Sequence, residues 1–482
     1  MAIIRAFPVP AGPALKRPFS KDEKTEKSLD HSIRDGVSFA IMGGVSESYF
    51  SAYAVFLKAT APQIGLLASL PPLIASFAQM FSVWLGQMTG LRKSIIVTGA
   101  IIQVIALLGI ATLPLIFETR AFPMLLGAVI IYYIGPNLGA PLWGSLMGSL
   151  IPEAVRGRFF ARRNRLSSMA SFSSLIGAGL VLQFFDSFVA AYLGFIAIFV
   201  IGMVARSVSA WHLNQIHDPS HGSPVLPRQE RDGIPSFRVL KENPNFLRFS
   251  MFFAAMQFAV AISGPFVVVY LLRDLHYSYI ELMANTAASV LVQFLILARW
   301  GRLGDLFGNR IILRVTGFAI PVVPFLWVLS PDFFYLLLVQ AISGLLWSGY
   351  SLSASNFLFD LTPQSRRGGL MAIHNLFSSV AVFLGASFGG FLALHLPTSI
   401  TLGSFAFSWL SVFYGVFVFS AVLRLVVAAS FLPHLEEVRS VRNMTYHGLI
   451  FRVTRFSPIS GVMFDVVTRV RKRVGERNDD NS

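Results

Sequence analysis

Glu47 is the residue whose type and setting most plainly imply chemistry. It lies in Gly43-Gly44-Val45-Ser46-Glu47-Ser48-Tyr49-Phe50, inside the first long apolar segment. A carboxyl at mid-bilayer depth costs about 3 kcal/mol on insertion scales, so it normally faces a wet cavity or a partner. Such an acid suits binding of a polar solute or proton uptake and release. The plainer alternative is a hydrogen-bond hub packed on Ser46, Tyr49 or a glutamine of another helix. Other polar residues in apolar surroundings are candidates for the same cavity: Tyr49, Tyr132, Tyr133, Asn137, Gln257, Asn285, Gln293, Gln340, Tyr350 and Asn356. One firm acid with no firmly placed base favours a neutral or cationic solute over a dianion.

The elements that position these groups follow from composition. The chain has 482 residues, of which 54% are hydrophobic and 13% charged, against about 25% charged in soluble domains. With a mean hydropathy of +0.65, this is an all-α integral membrane protein. A spanning helix needs about 20 mostly apolar residues. Twelve segments qualify: 34–57, 65–85, 94–115, 122–148, 166–185, 188–211, 246–271, 280–299, 311–329, 332–358, 369–395 and 400–431. The expected division is a tail over 1–33, a six-helix bundle over 34–211, a linker over 212–245, a second bundle over 246–432 and a basic tail over 433–482. The tail before Arg34 holds no apolar core, so the first apolar segment is expected to act as an uncleaved signal anchor.

Net charge +15 does not imply nucleic acid, because of where it lies. Of 39 Lys and Arg, only Lys58, Arg120 and Arg273 fall in the loops expected outside. That bias orients helices during insertion and places both termini in the cytoplasm, in the plasma (inner) membrane. No cysteine is present, which excludes disulfides and thiol chemistry. His217 and His221 have metal-like spacing, but Pro219 separates them and no acidic partner is evident, so no metal is expected. The tail around Met463, Val466, Val470 and Val474 has helical periodicity with a basic face, fit either to lie on an anionic leaflet or to fray.

Two motifs occur twice. Pro152, Arg156, Gly157, Ala161 and Asn164 return with identical internal spacing as Pro363, Arg367, Gly368, Ala372 and Asn375. Gly86, Gly90, Arg92 and Val97-Thr98-Gly99 return as Gly304, Gly308, Arg310 and Val315-Thr316-Gly317, again with identical internal spacing. The displacement between copies is nearly the same for both motifs. A duplication of that length means two halves built from one helical bundle. With Gly-x3-Gly-x-Arg between helices two and three and again between eight and nine, residues 34–432 resemble the major facilitator superfamily of transporters, bacterial type. The resemblance implies twelve transmembrane helices in two six-helix halves that rock about a central cavity lined by helix one. It also implies a monomer in the lipid bilayer carrying a small-molecule substrate, driven by a proton or substrate gradient.

By that resemblance Gly86, Gly90, Arg92, Gly304, Asp305, Gly308 and Arg310 form a cytoplasmic gate, with Arg310 binding Asp305. Arg156 and Arg367 turn the chain into the next helix, either as positive-inside anchors or as part of that gate. Gln87 stands where the second half has Asp305, so the first half has lost that carboxylate. Asp360 is placed to pair with Arg366 or Arg367. Gly135-Pro136 and Ser263-Gly264-Pro265 are expected to interrupt helices four and seven, and Arg206 and Arg424 to snorkel to the interface. No phosphate loop, metalloprotease motif or carboxylate cluster is present, so neither an enzyme nor a cofactor is expected. The alternative to a transporter is a membrane sensor or assembly factor of the same fold.

Overall fold

Helix one starts with a cap. Asp22 Oδ2 accepts from the Thr25 amide at 3.0 Å and from Thr25 Oγ1 at 2.6 Å, which satisfies a free helix-end donor. These bonds hold the Asp22 carboxyl below its usual range. The helix then runs over Glu23–Val45, beginning well before its apolar stretch. The computed structural model describes residues 19–20, 22–116, 121–188, 190–219, 243–362, 367–397, 399–402, 405–408 and 410–437. Residues 220–242 of the linker, with His221, and the tail from residue 438 lie outside the described residues, as do Arg120, Pro363 and Arg366.

Among the described residues eleven helices are long and apolar enough to cross a membrane. Helix one is the twelfth, and it is broken: a 3-10 turn at Glu47–Tyr49 separates Glu23–Val45 from Phe50–Phe56. Helices two to six are Ala61–Thr89, Arg92–Ile116, Ala121–Leu150, Glu153–Phe188 and Ala191–Gln215. Helix seven runs Pro244–Ala261, turns, and resumes as Phe266–Val269 and a π-helical turn at Tyr270–Asp274. Helix eight is Tyr279–Phe307, helix nine Asn309–Ala319 and Val322–Leu329, helix ten Phe333–Leu361 and helix eleven Arg367–His395. Helix twelve is Phe413–Phe431.

Three expectations are corrected here. Helix four is continuous through Pro136 and Pro141; membrane-spanning helices tolerate proline in their interior. Helix one, which contains no proline, is the broken one in the first half. The start expected for helix twelve is instead an antiparallel hairpin, Ser399–Leu402 paired with Phe405–Ser408. It is a short run of β-branched and aromatic residues, which favour strands. The expected interruption of helix seven is present, and it falls at the repeat equivalent of the break in helix one. The same displacement relates the two loop glycines, Gly90 with φ 65° and Gly308 with φ 86°, a region that L-residues with a Cβ avoid.

The halves touch near the ends of the helices remote from the two termini. There the Ile280 amide donates to Gln183 Oε1 at 3.4 Å, and Phe195 meets Tyr279 edge-on at 5.6 Å. A Cβ on Gly65 would stand 2.8 Å from the Ala386 carbonyl, and one on Gly390 2.8 Å from Pro62 Cα, so only glycine allows helices two and eleven this approach. Within the first half, Gly99 and Gly135 bring the backbones of helices three and four together, each facing the other's carbonyl. In the second half the repeat equivalent of Gly99, Gly317, meets the Leu432 side chain instead.

Candidate functional site

With the remote ends closed, space remains between the halves toward the terminal face. A cavity of about 440 Å³ is lined there by Pro72, Ser76 and Gln79 of helix two and by Tyr133 and Asn137 of helix four. From the second half come Phe253 of helix seven, Ala354, Ser355 and Leu358 of helix ten, and His374, Asn375, Ser378 and Ser379 of helix eleven. Ligand sites are typically of this size, apolar with a few placed polar groups.

Of the residues read from sequence, Tyr133 and Asn137 line this cavity, one turn apart, with Asn137 Nδ2 donating to the Tyr133 carbonyl at 2.9 Å. Glu47 sits in the 3-10 turn that breaks helix one, accessible, and accepts from Tyr132 Oη at 3.0 Å. Tyr132 itself is fully buried, packed edge-on against Phe50 and Tyr133. Its hydroxyl thus ties the broken turn to helix four, next to the cavity-lining Tyr133.

The others are placed elsewhere. Tyr49 is buried and donates to the Leu175 carbonyl at 2.8 Å, binding helix one to helix five. Tyr350 is buried among Phe252, Phe253 and Trp347, a setting too apolar to face solute. Asn285 is fully buried with neither amide atom bonded. Gln293 Nε2 bonds Ser289 Oγ at 3.4 Å, and Asn356 Nδ2 bonds Asn309 Oδ1 at 3.5 Å. Gln257 is half-buried on helix seven and outside the cavity lining.

The loop residues also differ from expectation. Arg92 is paired: its Nε reaches Asp218 Oδ1 at 2.9 Å and its Nη2 the same oxygen at 2.6 Å, with Ser149 Oγ at 2.9 Å from Nη2. Both partners are about 3% exposed or less. The carboxylate missing at Gln87 is therefore supplied by the residue run after helix six. In the second half Arg310 does not bind Asp305, which is exposed with no ion pair among the described residues. The Arg310 amide donates instead to Glu437 Oε2 at 2.8 Å, and Glu437 follows helix twelve as Asp218 follows helix six. Gly86 packs on Leu142 and Gly304 on Asn309 and Ile312. Arg156 Nη2 donates to the Gly148 carbonyl at 3.3 Å. Asp360 Oδ2 accepts from Asn309 at 3.4 Å; the side chain of Arg367 lies outside the described residues.

Arg206 and Arg424 do not snorkel: each is 4% exposed, and they are repeat equivalents by the displacement of the glycine loops. Arg206 Nη1 donates to Ser209 Oγ at 2.6 Å, and Ser209 Oγ to Asp35 Oδ1 at 2.7 Å. Arg163 reaches the other oxygen of Asp35 at 3.4 Å and stacks on Trp143. Asp35 and Arg163 were not singled out from the sequence; they lie at the start of the first apolar segment and just before the fifth. His374 was missed because it sits beside a repeated Asn without repeating itself.

Residues 36–272 and 249–455 each match the Major Facilitator Superfamily. The nucleoside transporter NupG, in a mutant form, is similar in fold with a TM-score of 0.65 at 15% identity, over 85% of this chain and 100% of that one. A bacterial homologue of the iron transporter ferroportin, in its inward-facing state, gives 0.63 at 15% identity, over 86% and 99%. A D-xylose–proton symporter gives 0.63 at 14% identity, over 87% and 99%. No curated sequence matches this chain. The two matched halves, the repeated loops and the central cavity together place this multi-pass membrane chain in the Major Facilitator Superfamily.

Proposed function

We propose that this protein is a secondary transporter of a small solute, working by alternating access. The observation that carries this reading is a cavity lined by side chains of both halves, which pack together at the remote ends. Rocking about that contact would close the terminal face and open the other. With both termini cytoplasmic, the conformation described is inward-open, in the plasma membrane, and the chain acts as a monomer. The solved relatives are a nucleoside transporter, a bacterial homologue of an iron transporter and a D-xylose–proton symporter, so no one cargo is inherited.

Glu47 is the proton-coupling residue in this reading. It is the acid at a helix break, accessible and held by one hydroxyl, so it can lose its proton without leaving a buried charge unsolvated. The paired loops, with Arg92, Arg156, Arg310, Arg367, Asp305 and the glycines, form the gate at the terminal face. The test is metabolite exchange between cells and medium with wild type, Glu47→Gln or neither, at matched membrane abundance. A solute moved by wild type alone supports transport with Glu47 coupling. A solute moved equally by both removes Glu47 from the mechanism. No movement by either favours a sensor or assembly role.

A further inference from the structure

His374 occupies an informative place in the repeat. By the displacement of its own motif it stands where the first half has Arg163. Its partner Ser250 stands where the first half has Ser32, by the displacement of the glycine loops. The contact is kept in both halves: Arg163 Nε donates to the Ser32 carbonyl at 3.1 Å, and His374 Nδ1 meets Ser250 Oγ at 3.1 Å. The next contact is not kept. Arg163 is completed by Asp35, whereas the repeat equivalent of Asp35 is Phe253, whose ring lies 4.8 Å from that of His374. Phe249 stacks on the imidazole almost parallel, at 5.9 Å and 4°.

An imidazole has two nitrogens. Ser250 engages Nδ1, and the two phenyl rings fix the ring plane. The first half spends the corresponding side chain on an internal ion pair. In the second half that acid is absent and His374 borders the cavity. The lining described holds no carboxylate, ammonium or guanidinium. An ion taken from water into such a site without a countercharge is penalised by several kcal/mol, whereas a neutral polar solute needs only hydrogen bonds. Gln79, Asn137 and Asn375 supply amides that both donate and accept, and Tyr133 and Phe253 supply ring surface.

We propose that His374 is a specificity-determining residue that presents Nε2 to the cargo, and that the cargo is an uncharged ring compound rich in hydrogen-bonding groups. This rests on the transporter reading for the word cargo, but its binding claim stands apart from flux.

The test is thermal stabilisation of the purified full-length protein by myo-inositol, D-glucose and cytidine, each beside its monophosphate. At least one uncharged member is expected to bind and its phosphate to fail. His374→Phe, which keeps the stack on Phe249, should weaken that binding tenfold or more. His374→Gln, whose amide reaches the Nε2 position, should restore most of it, while His374→Asn, which mimics Nδ1, should not. Binding of a phosphate in preference, binding of no panel member, or equal affinity in the Phe variant overturns the proposal. Flux of a charged solute would sink this inference and leave transport standing. His374-dependent binding without flux in proteoliposomes would do the reverse.

Discussion

Arg424 Nη2 donates to Ser263 Oγ at 2.7 Å, at the point where helix seven loses its backbone ladder. The same nitrogen reaches the Val260 carbonyl at 3.3 Å, and Nε bonds Ser420 Oγ at 3.1 Å. The arginine is thus a ligand for the broken helix, adding a third donor to a carbonyl that already accepts from the Ser263 and Gly264 amides. In the first half its equivalent Arg206 faces Ser209, while Ser46 Oγ at the matching break is buried without a partner. The break in helix seven is held by its arginine, whereas the break in helix one is held by Tyr132 and Tyr49 instead.

Arg424→Ala should therefore destabilise the second half by about 1.5–3 kcal/mol, the usual worth of a hydrogen bond to a charged group, since its acceptors keep their other partners. Arg424→Lys should recover part of this, since one ammonium cannot span both partners. Thermal unfolding in detergent reads the difference, and a melting point unchanged in the alanine variant would exclude the pinning role.

The Arg92–Asp218 pair predicts a larger, non-additive effect. Asp218→Ala should cost about 3–5 kcal/mol, because it strands a buried guanidinium. Adding Arg92→Leu to that background should restore much of the loss. A double variant as unstable as the sum of the singles would mean that the two side chains act independently.

The coupling role of Glu47 makes a separable prediction. Glu47→Gln should abolish uptake driven by a proton gradient while leaving solute counterflow, and Tyr132→Phe should lower the rate of both. These are read in proteoliposomes with an imposed pH difference. Gradient-driven uptake that survives in Glu47→Gln would assign coupling elsewhere.

His31 Nδ1 and His212 Nδ1 lie 2.9 Å apart at the terminal face. Burial first, then the Arg34 charge, pull His31 below its ordinary 6.5, with Asp30 opposing. The unfolded chain thus takes up the proton before the folded one. Stability from this pair is full above about pH 6.5 and falls as the pH drops below it. The wild-type melting point should decline over that range more steeply than that of His31→Gln; parallel curves would show that the pair does not titrate with folding.

How much of this was legible in the sequence depends on the distance a contact spans. The helix count, the duplication and the turn at Ser263-Gly264-Pro265 are local signals, and all three are found in the structure. Gly90 and Gly308 were recognisable as turn residues because their motif repeats. The break at Glu47–Tyr49 was not, since nothing in Gly43–Ser48 forbids a helix. The partner of Arg92 lies 126 residues away, and that of Arg163 lies 128 away; no periodicity reports such pairs. Arg206 and Arg424 were visible at equivalent places in the two halves, yet each alone resembles an interface anchor, and only their shared burial reveals structural use.

The glycine contact between helices three and four has a mechanical consequence. Where Gly99 and Gly135 set backbone on backbone, the seam can only slide or open as a rigid joint. Where Gly317 rests on the Leu432 side chain, a rotamer change can absorb movement. The two halves, alike in ancestry, are then unequal springs. Small movements are absorbed more readily between helix nine and the end of helix twelve than between helices three and four.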